Sequence, residues 1–182
     1  MQINAKLSKD KRIEIAAEEI FSKYGYEKAT LDQIISLADV GKGTVYKYFG
    51  NKEQLFYKLV SAKNEPFVEA LRVAVESESE LKDKLTAYFK VMVEFYQKNC
   101  ALWQIIYYEM LNDTHCTVVF DAEDNAQVIS RYSEDTVSDE VKERFLRYHN
   151  LLTSEFEILY KIVVDGMKEG TLKSGNARIA GS

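Results

Sequence analysis

The sequence predicts an all-α chain: an N-terminal three-helix helix-turn-helix head packed on a larger helical-bundle regulatory body. Three observations carry this. One proline and eight glycines are all that interrupt 182 residues, and these are the residues that punctuate helices. Apolar residues recur at spacings of three and four along most of the chain, which is the period of a helix face. Hydrophobic residues make up 46% and charged ones 29%, the balance of a soluble chain with one good core and not of a disordered one.

The first helix is predicted from Ser8, a suitable N-cap, to Tyr24. Ile13, Ala16, Ala17, Ile20, Phe21 and Tyr24 form its inward stripe, and Gly25 is its stop signal. Lys9, Lys11 and Arg12 at its start could reach phosphates or could equally be a solvated end. Thr30 with Gln33 reads as a capping box, and Leu31, Ile34, Ile35 and Ala38 then share one face. Asp39, Val40 and Gly41 form a break, with Gly41 expected in a backbone conformation that a Cβ would resist. A third helix is predicted from about Gly43 to Phe49, with Val45 and Phe49 inward. Gly50 is expected to end it in the left-handed conformation, and Asn51 with Gln54 reads as the next cap. Two helices joined by a short glycine-bearing turn are the sequence form of a helix-turn-helix.

The outward residues of the third helix decide what that unit does. Lys42, Thr44, Tyr46, Lys47 and Tyr48 place two cations, a hydroxyl and two phenols on about two turns. A solvated face explains the lysines but not the paired tyrosines, because rings are kept from bulk water unless they pack or bind. Lys, Thr and Tyr side chains with amides at a helix N-terminus are the groups that hold phosphate oxygens. Gly43 there would let the backbone come close to a phosphate.

The run from Ile13 through Leu55 resembles the DNA-binding domain of the TetR family of transcriptional regulators. The residues that carry the resemblance are AAEEIFSKYGYEKAT (Ala16 to Thr30) and LADVGKGTVYKYFGNKEQLF (Leu37 to Phe56), with a K-G-T-(aliphatic)-Y-x-Y-F core followed by N-K-E. Gly41 departs from the pattern, standing where the family usually has a small hydroxyl residue. The resemblance implies that Thr44, Tyr46 and Lys47 contact base edges or the adjacent backbone, and that Thr30, Lys42, Tyr48 and Lys52 contact phosphates. It implies a homodimer on a near-palindromic operator, and repression relieved when a small apolar or aromatic molecule in the body shifts the linking helix.

Charge is distributed accordingly. The formal net charge is −5, but residues 1–60 carry 10 Lys and Arg against 8 Asp and Glu, while the remainder carries 14 against 21. A mildly basic head on an acidic body can present its head to DNA. The division expected is a DNA-binding domain over residues 1–50 and a ligand-binding and dimerisation domain over residues 51–182.

The fourth helix is predicted from Lys52 to Asn64, joining the head to the body, with a boundary or kink at Pro66. A helix from Pro66 to about Glu76 carries Phe67, Leu71 and Val75. Ser77 and Glu80 read as a capping box for a helix from Leu81 to Asn99, with Leu81, Leu85, Phe89, Met92, Val93 and Tyr96 as its apolar set. Residues 101–111 are apolar or aromatic on every side, the pattern of a buried helix. Most of that stretch reads as plain core. Trp103, Tyr107 and Met110, with Phe145 and His149 from a later helix, are the candidates to line a ligand pocket. Residues 112–136 lack a period, and a short helix around 122–132 is the expectation there. A last helix, capped by Ser138 or Thr136, runs to about Glu169, with Gly170 as its stop.

Some chemistry is absent from the sequence. It has no phosphate-binding glycine loop, no nucleophile elbow and no metal motif, so no cofactor, no metal and no enzymatic activity are expected. His115, Cys116, Cys100 and His149 lack ligand spacing. Glu155 and Glu157 read as exposed helix positions with no reason for a shifted pKa. Two cysteines are too few for a disulfide framework, no apolar run would span a bilayer, and the N-terminus lacks a signal-peptide core. A cytoplasmic location is expected. The tail from Asp165 to Ser182 resembles the segment before the family's last two helices, so the expectation is either a C-terminal truncation or a dimer formed otherwise, through the aromatic helices. A helical protein-interaction module without DNA binding is the alternative function.

Overall fold

The computed structural model describes residues 3–112, 116–120, 126–130 and 137–173, and for residues 109, 110, 112, 120 and 126 the backbone alone. Six α-helices occur in chain order among the described residues: α1 (Lys9–Lys28), α2 (Leu31–Ala38), α3 (Lys42–Phe49), α4 (Lys52–Glu76), α5 (Leu81–Ile105) and α6 (Asp139–Lys168). A π-helical segment, Ile106–Asn112, continues α5, and strands β1 (Cys116–Phe120) and β2 (Ala126–Ser130) pair antiparallel. The chain divides into two compact units, Met1–Lys63 with Ala101–Phe145 and Asn64–Cys100 with Leu146–Ser182.

In the first unit α1 starts after Ser8, whose hydroxyl bonds to Asp10 and holds that carboxyl below its ordinary pKa. Gly25 interrupts the helix with φ 76° and ψ 175°, so the expected stop is a kink, and one further turn reaches Lys28. The inward stripe Ile13, Ala16, Ala17, Ile20 and Phe21 is buried, together with Ile34, Ala38, Val45, Phe49, Leu55, Phe56, Leu59 and Val60. Phe21 meets Phe56 edge-on at 4.9 Å, and Tyr26 meets the same ring at 5.4 Å. Three short helices have little core of their own, and the first turns of α4 complete it.

Helix α4 corrects the boundary expected at Pro66. It runs unbroken from Lys52 to Glu76 with the proline inside it. Pro66 has no N–H to offer the Ala62 carbonyl, a loss of about 3 kcal/mol in a helix interior. Leu59 and Val60 before it and Phe67 and Leu71 after it are all buried. At about 1.5–3 kcal/mol for each such side chain, that burial outweighs the missing bond.

Other expectations also change. Of the apolar set on α5, Leu81, Leu85, Met92 and Tyr96 pack against the core beside a fully buried Tyr88, while Phe89 and Val93 are each 53% exposed. Ser77 caps nothing, since its hydroxyl donates back to the Ala74 carbonyl. Glu80 precedes α5 instead, its carbonyl accepting from Lys84. The stretch 101–111 is not buried all round. Leu102, Trp103, Ile105 and Ile106 are buried, but Tyr107 is 42% and Tyr108 68% exposed, where the wider π turn takes over from the α period. Residues 126–130 of the expected short helix form β2, and the rest of 122–132 lies outside the described residues. β-Branched side chains oppose one another there, Val118 with Val128 and Thr117 with Ile129, a pairing that suits a pleat better than a helix.

The second unit holds a core of Phe67, Leu71, Val75, Tyr88 and Ile162, with Leu85, Met92, Phe95, Tyr96, Ile158 and Leu159 packed against it. Phe67 and Phe95 stack with centroids 3.8 Å apart. Ser138 caps α6 through the Val141 amide, and Gly170 lies just past its end at φ 74°. On α6 Phe156 is 46% exposed, and its neighbour Glu155 is fully buried.

Candidate nucleic-acid interface

Helix α2 begins as its sequence predicts. The Gln33 amide donates to Thr30 Oγ1 at 3.2 Å and the Thr30 amide donates to Gln33 Oε1 at 2.9 Å, a complete capping box. The turn to α3 differs in one detail from expectation. Asp39, not Gly41, takes the left-handed conformation, at φ 51° and ψ 57°. Aspartate tolerates that region because its short polar side chain bonds locally. Gly41 is extended at φ −69° and ψ 143°, and serves as the N-cap of α3 without a side chain to do so. A Cβ there would stand 3.8 Å from Thr44 Oγ1, an ordinary contact. The Arg12 guanidinium donates to the Asp39 carbonyl and so ties α1 to the turn. Lys11 pairs with Glu14 at 2.9 Å. Two of the three cations at the start of α1 are thereby engaged within the head.

Helix α3 buries Val45 and Phe49 and turns Lys42, Gly43, Tyr46, Lys47 and Tyr48 outward, with Thr44 partly covered. Tyr46 and Tyr48 are 47% and 46% exposed, so neither ring is there to fill the core. A Cβ on Gly43 would meet nothing within 4 Å. No packing inside the head therefore asks for glycine at that position. Lys42 approaches Asp32 at 3.4 Å with both side chains exposed, a pair worth ~0–1 kcal/mol that a phosphate could displace. After α3 the chain reverses in a γ-turn: Gly50 has φ 76° and ψ −70°, and the Asn51 amide donates to the Phe49 carbonyl at 2.9 Å. This is a positive-φ exit, though not the left-handed helical region expected. Asn51 then caps α4, its Oδ1 accepting from the Gln54 amide at 2.8 Å.

Lys52 behaves unlike the other predicted phosphate contacts. Its ammonium donates to the carbonyls of Tyr26 at 2.9 Å and Ala29 at 3.2 Å, and lies 4.3 Å over the Tyr26 ring. It joins the first turn of α4 to the end of α1. The cation that orients the head was legible as a residue type, but not as an inward one.

The predicted ligand residues are divided between the two units. Trp103 and Phe145 are buried in the first unit, where Tyr107 is largely exposed. His149 belongs to the second unit, half-buried, with burial lowering its pKa. The side chain of Met110 lies outside the described residues, as does His115. A cleft of about 520 Å³ in the second unit, lined by Ala74, Ser77, Glu78, Thr86, Lys90 and Glu94 among others, includes none of the five. Among the described residues no group of three His, Cys, Asp or Glu is placed to hold a metal, and no helix is long and apolar enough to cross a membrane.

What sequence reasoning missed is Glu155. Its carboxyl is fully buried, and desolvation pushes its pKa up to about 7, opposed by a hydrogen bond from Tyr96 Oη at 2.9 Å to Oε1. The reading of Glu155 as an exposed, unshifted position is therefore corrected. The available signal was helical phase: Leu151, Leu152, Glu155, Leu159 and Ile162 share the spacing of one face, which places the glutamate with the core and Phe156 off it.

A capped helix, a tight turn and a short helix bearing outward cations and phenols define a helix-turn-helix DNA-binding head. The family model described as bacterial regulatory proteins, tetR family, matches residues 15–59, and the chain is a TetR-family transcriptional regulator. It is 27% identical over 168 residues to the uncharacterized HTH-type transcriptional regulator YhgD of Bacillus subtilis, covering 92% of this chain and 73% of that protein. It is 26% identical over 160 residues to the fatty acid metabolism regulator protein of the same organism, covering 88% of this chain and 69% of the relative. Among solved structures, that of the regulator FadR from Bacillus subtilis in complex with stearoyl-CoA superposes with a TM-score of 0.66 at 22% identity, over 93% of this chain and 77% of that one.

Proposed function

We propose that this chain is a repressor that binds a near-palindromic operator as a homodimer, and that a small, mainly apolar molecule releases it. The carrying observation is the outward face of α3, where two lysines and two half-exposed tyrosines flank a glycine that no internal contact requires. In this reading Thr44, Tyr46 and Lys47 meet base edges or the adjacent backbone, Lys47 donating to guanine O6 or N7. Lys42, Tyr48, Thr30 and the Gly43 amide hold phosphates. Lys52 supports the contact by fixing the end of α1 and not by touching DNA. The head is the DNA-binding domain, residues 1–50, and residues 51–182 form the ligand-binding and dimerisation domain. The names of two relatives, a fatty acid metabolism regulator and a regulator bound to stearoyl-CoA, make molecules with an aliphatic chain the first class of effector to test. A cytoplasmic site of action goes with an operator as target.

Selection of bound fragments from random-sequence DNA tests this reading. The expected result is one enriched inverted repeat with half-sites about one helical turn, ~34–36 Å, apart. With Lys47→Ala, enrichment should persist but lose preference at one or two positions per half-site. No enriched repeat from the wild-type chain would overturn it.

A further inference from the structure

In the second unit, around one buried turn of α6, two side-chain oxygens are buried without a hydrogen-bond partner, one on Asn64 of α4 and one on Glu155 of α6. Asn64, 7% exposed, donates through Nδ2 to the Leu151 carbonyl at 3.1 Å and to Ser154 Oγ at 3.2 Å. The Ser154 hydroxyl in turn donates to the Leu151 carbonyl at 2.9 Å. These bonds fix the amide's orientation and leave Asn64 Oδ1 buried without a partner. One residue further, Glu155 receives Tyr96 Oη on Oε1, and Tyr88 Oη donates to its main-chain carbonyl at 3.1 Å. Glu155 Oε2 is likewise buried without a partner. Leu151, Ser154 and Glu155 lie within one turn of α6, so the two orphan acceptors flank the same stretch.

An unsatisfied buried acceptor costs ~1–3 kcal/mol, more when charged. An isolated buried carboxylate is the least favourable occupant of an aromatic shell. A leucine at 155 would continue the stripe of Leu151, Leu152 and Leu159 at no such cost. We propose that Glu155 is the polar handle of the effector site, and that it selects an apolar molecule carrying a hydrogen-bond donor, above all an alkylammonium, over one carrying a carboxylate. The inference rests on the repressor reading for its biological sense, but the binding it describes is independent of DNA.

The chemistry rests on the donor count. An ammonium brings three donors and a charge of the sign that Glu155 lacks around it. The titratable groups facing the carboxyl are the Tyr88 and Tyr96 phenols of α5, with burial raising the Tyr88 pKa to about 12. On α4 the polar residue against this turn is Asn64, which carries no charge. Phe95 and Tyr96, on the neighbouring helix α5, are only half-buried. A carboxylate head would meet the Oε2 acceptor and be repelled.

The probes are decylamine, decanol and decanoate, titrated below their aggregation limits into the full chain and followed by calorimetry. Decylamine is expected to bind at least about tenfold more tightly than decanoate, a ratio that corresponds to one charge-assisted hydrogen bond. Its affinity should rise from pH 6 to pH 8 as the carboxyl gives up its proton. Glu155→Gln should cost decylamine tenfold or more and remove the pH dependence while leaving decanol within a few fold. Tyr96→Phe, which keeps the ring and removes the bond favouring the carboxylate, should shift the pH dependence upward. Equal affinity for decylamine and decanoate, or unchanged decylamine affinity in a folded Glu155→Gln chain, would overturn the proposal. Duplex binding by the wild-type chain is measured separately, and its loss would count against the repressor reading alone.

Discussion

Lys52 and Glu155 are two ionisable side chains whose roles depend on burial more than on residue type. Lys52 gives its protons to main-chain oxygens at the end of α1 and rests on the Tyr26 ring. Lys52→Met keeps the aliphatic stem and leaves those carbonyls short of a donor. A loss of ~1–3 kcal/mol is expected, read as a lower urea midpoint with an unchanged slope. An unchanged midpoint would return Lys52 to the phosphate contacts. Glu155 works in the opposite sense. Its folded pKa of about 7 exceeds the ordinary 4.5, so between these values the folded chain binds the extra proton and stability falls as pH rises. Glu155→Gln removes that penalty. The variant should gain little over wild type at pH 4.5 and up to about 3 kcal/mol by pH 8. Thermal melts at the two pH values check this, and a gain independent of pH would contradict it.

At the scale of elements, the helix-turn-helix was legible because its local signals agree: cap, apolar face, turn and cap again. The Thr30 and Asn51 caps form as the residue types predict. Even there the conformational burden of the turn moved from Gly41 to Asp39, since spacing alone does not say which residue adopts the left-handed state. Further along the chain, legibility failed where local and tertiary preferences compete. Pro66 signals a boundary, yet burial on both sides carries α4 through it. On α5 packing adds Tyr88 to Leu81, Leu85, Met92 and Tyr96 and leaves Phe89 and Val93 outside. If α4 is continuous because of burial, Pro66→Ala should restore the Ala62 bond and stabilise the chain by about 1–3 kcal/mol. A destabilised variant would instead mean that the proline's missing donor is used. The β1–β2 pair escaped notice because five-residue apolar runs do not distinguish strand from helix by period.

For the whole molecule, the proposed DNA contact lies in one stretch of sequence and the proposed effector site does not. A DNA contact is built from one short stretch on one helix, so sequence neighbours stay neighbours. The Glu155 handle draws on α5 and α6, with Tyr88 and Glu155 67 positions apart, and no local pattern joins them. The acidic net charge of −5 matters less than the mildly basic head, because screening confines the field that a phosphate meets to roughly 10 Å at ordinary salt. A reading helix of two turns spans only a few base pairs, so useful affinity asks for two heads. Light scattering at tens of micromolar is expected to give the dimer mass, and a monomer would contradict the operator reading.

The central claim is that the outward face of α3 meets DNA, and it is tested most directly by the salt dependence of binding to a selected duplex. For the wild-type chain, log affinity should fall linearly and steeply with log salt. Lys42→Ala should reduce that slope by about 2 per dimer, one phosphate per head, and leave base preference intact. Binding whose salt slope does not change with Lys42, or no duplex binding at about 50 mM salt, would contradict the account.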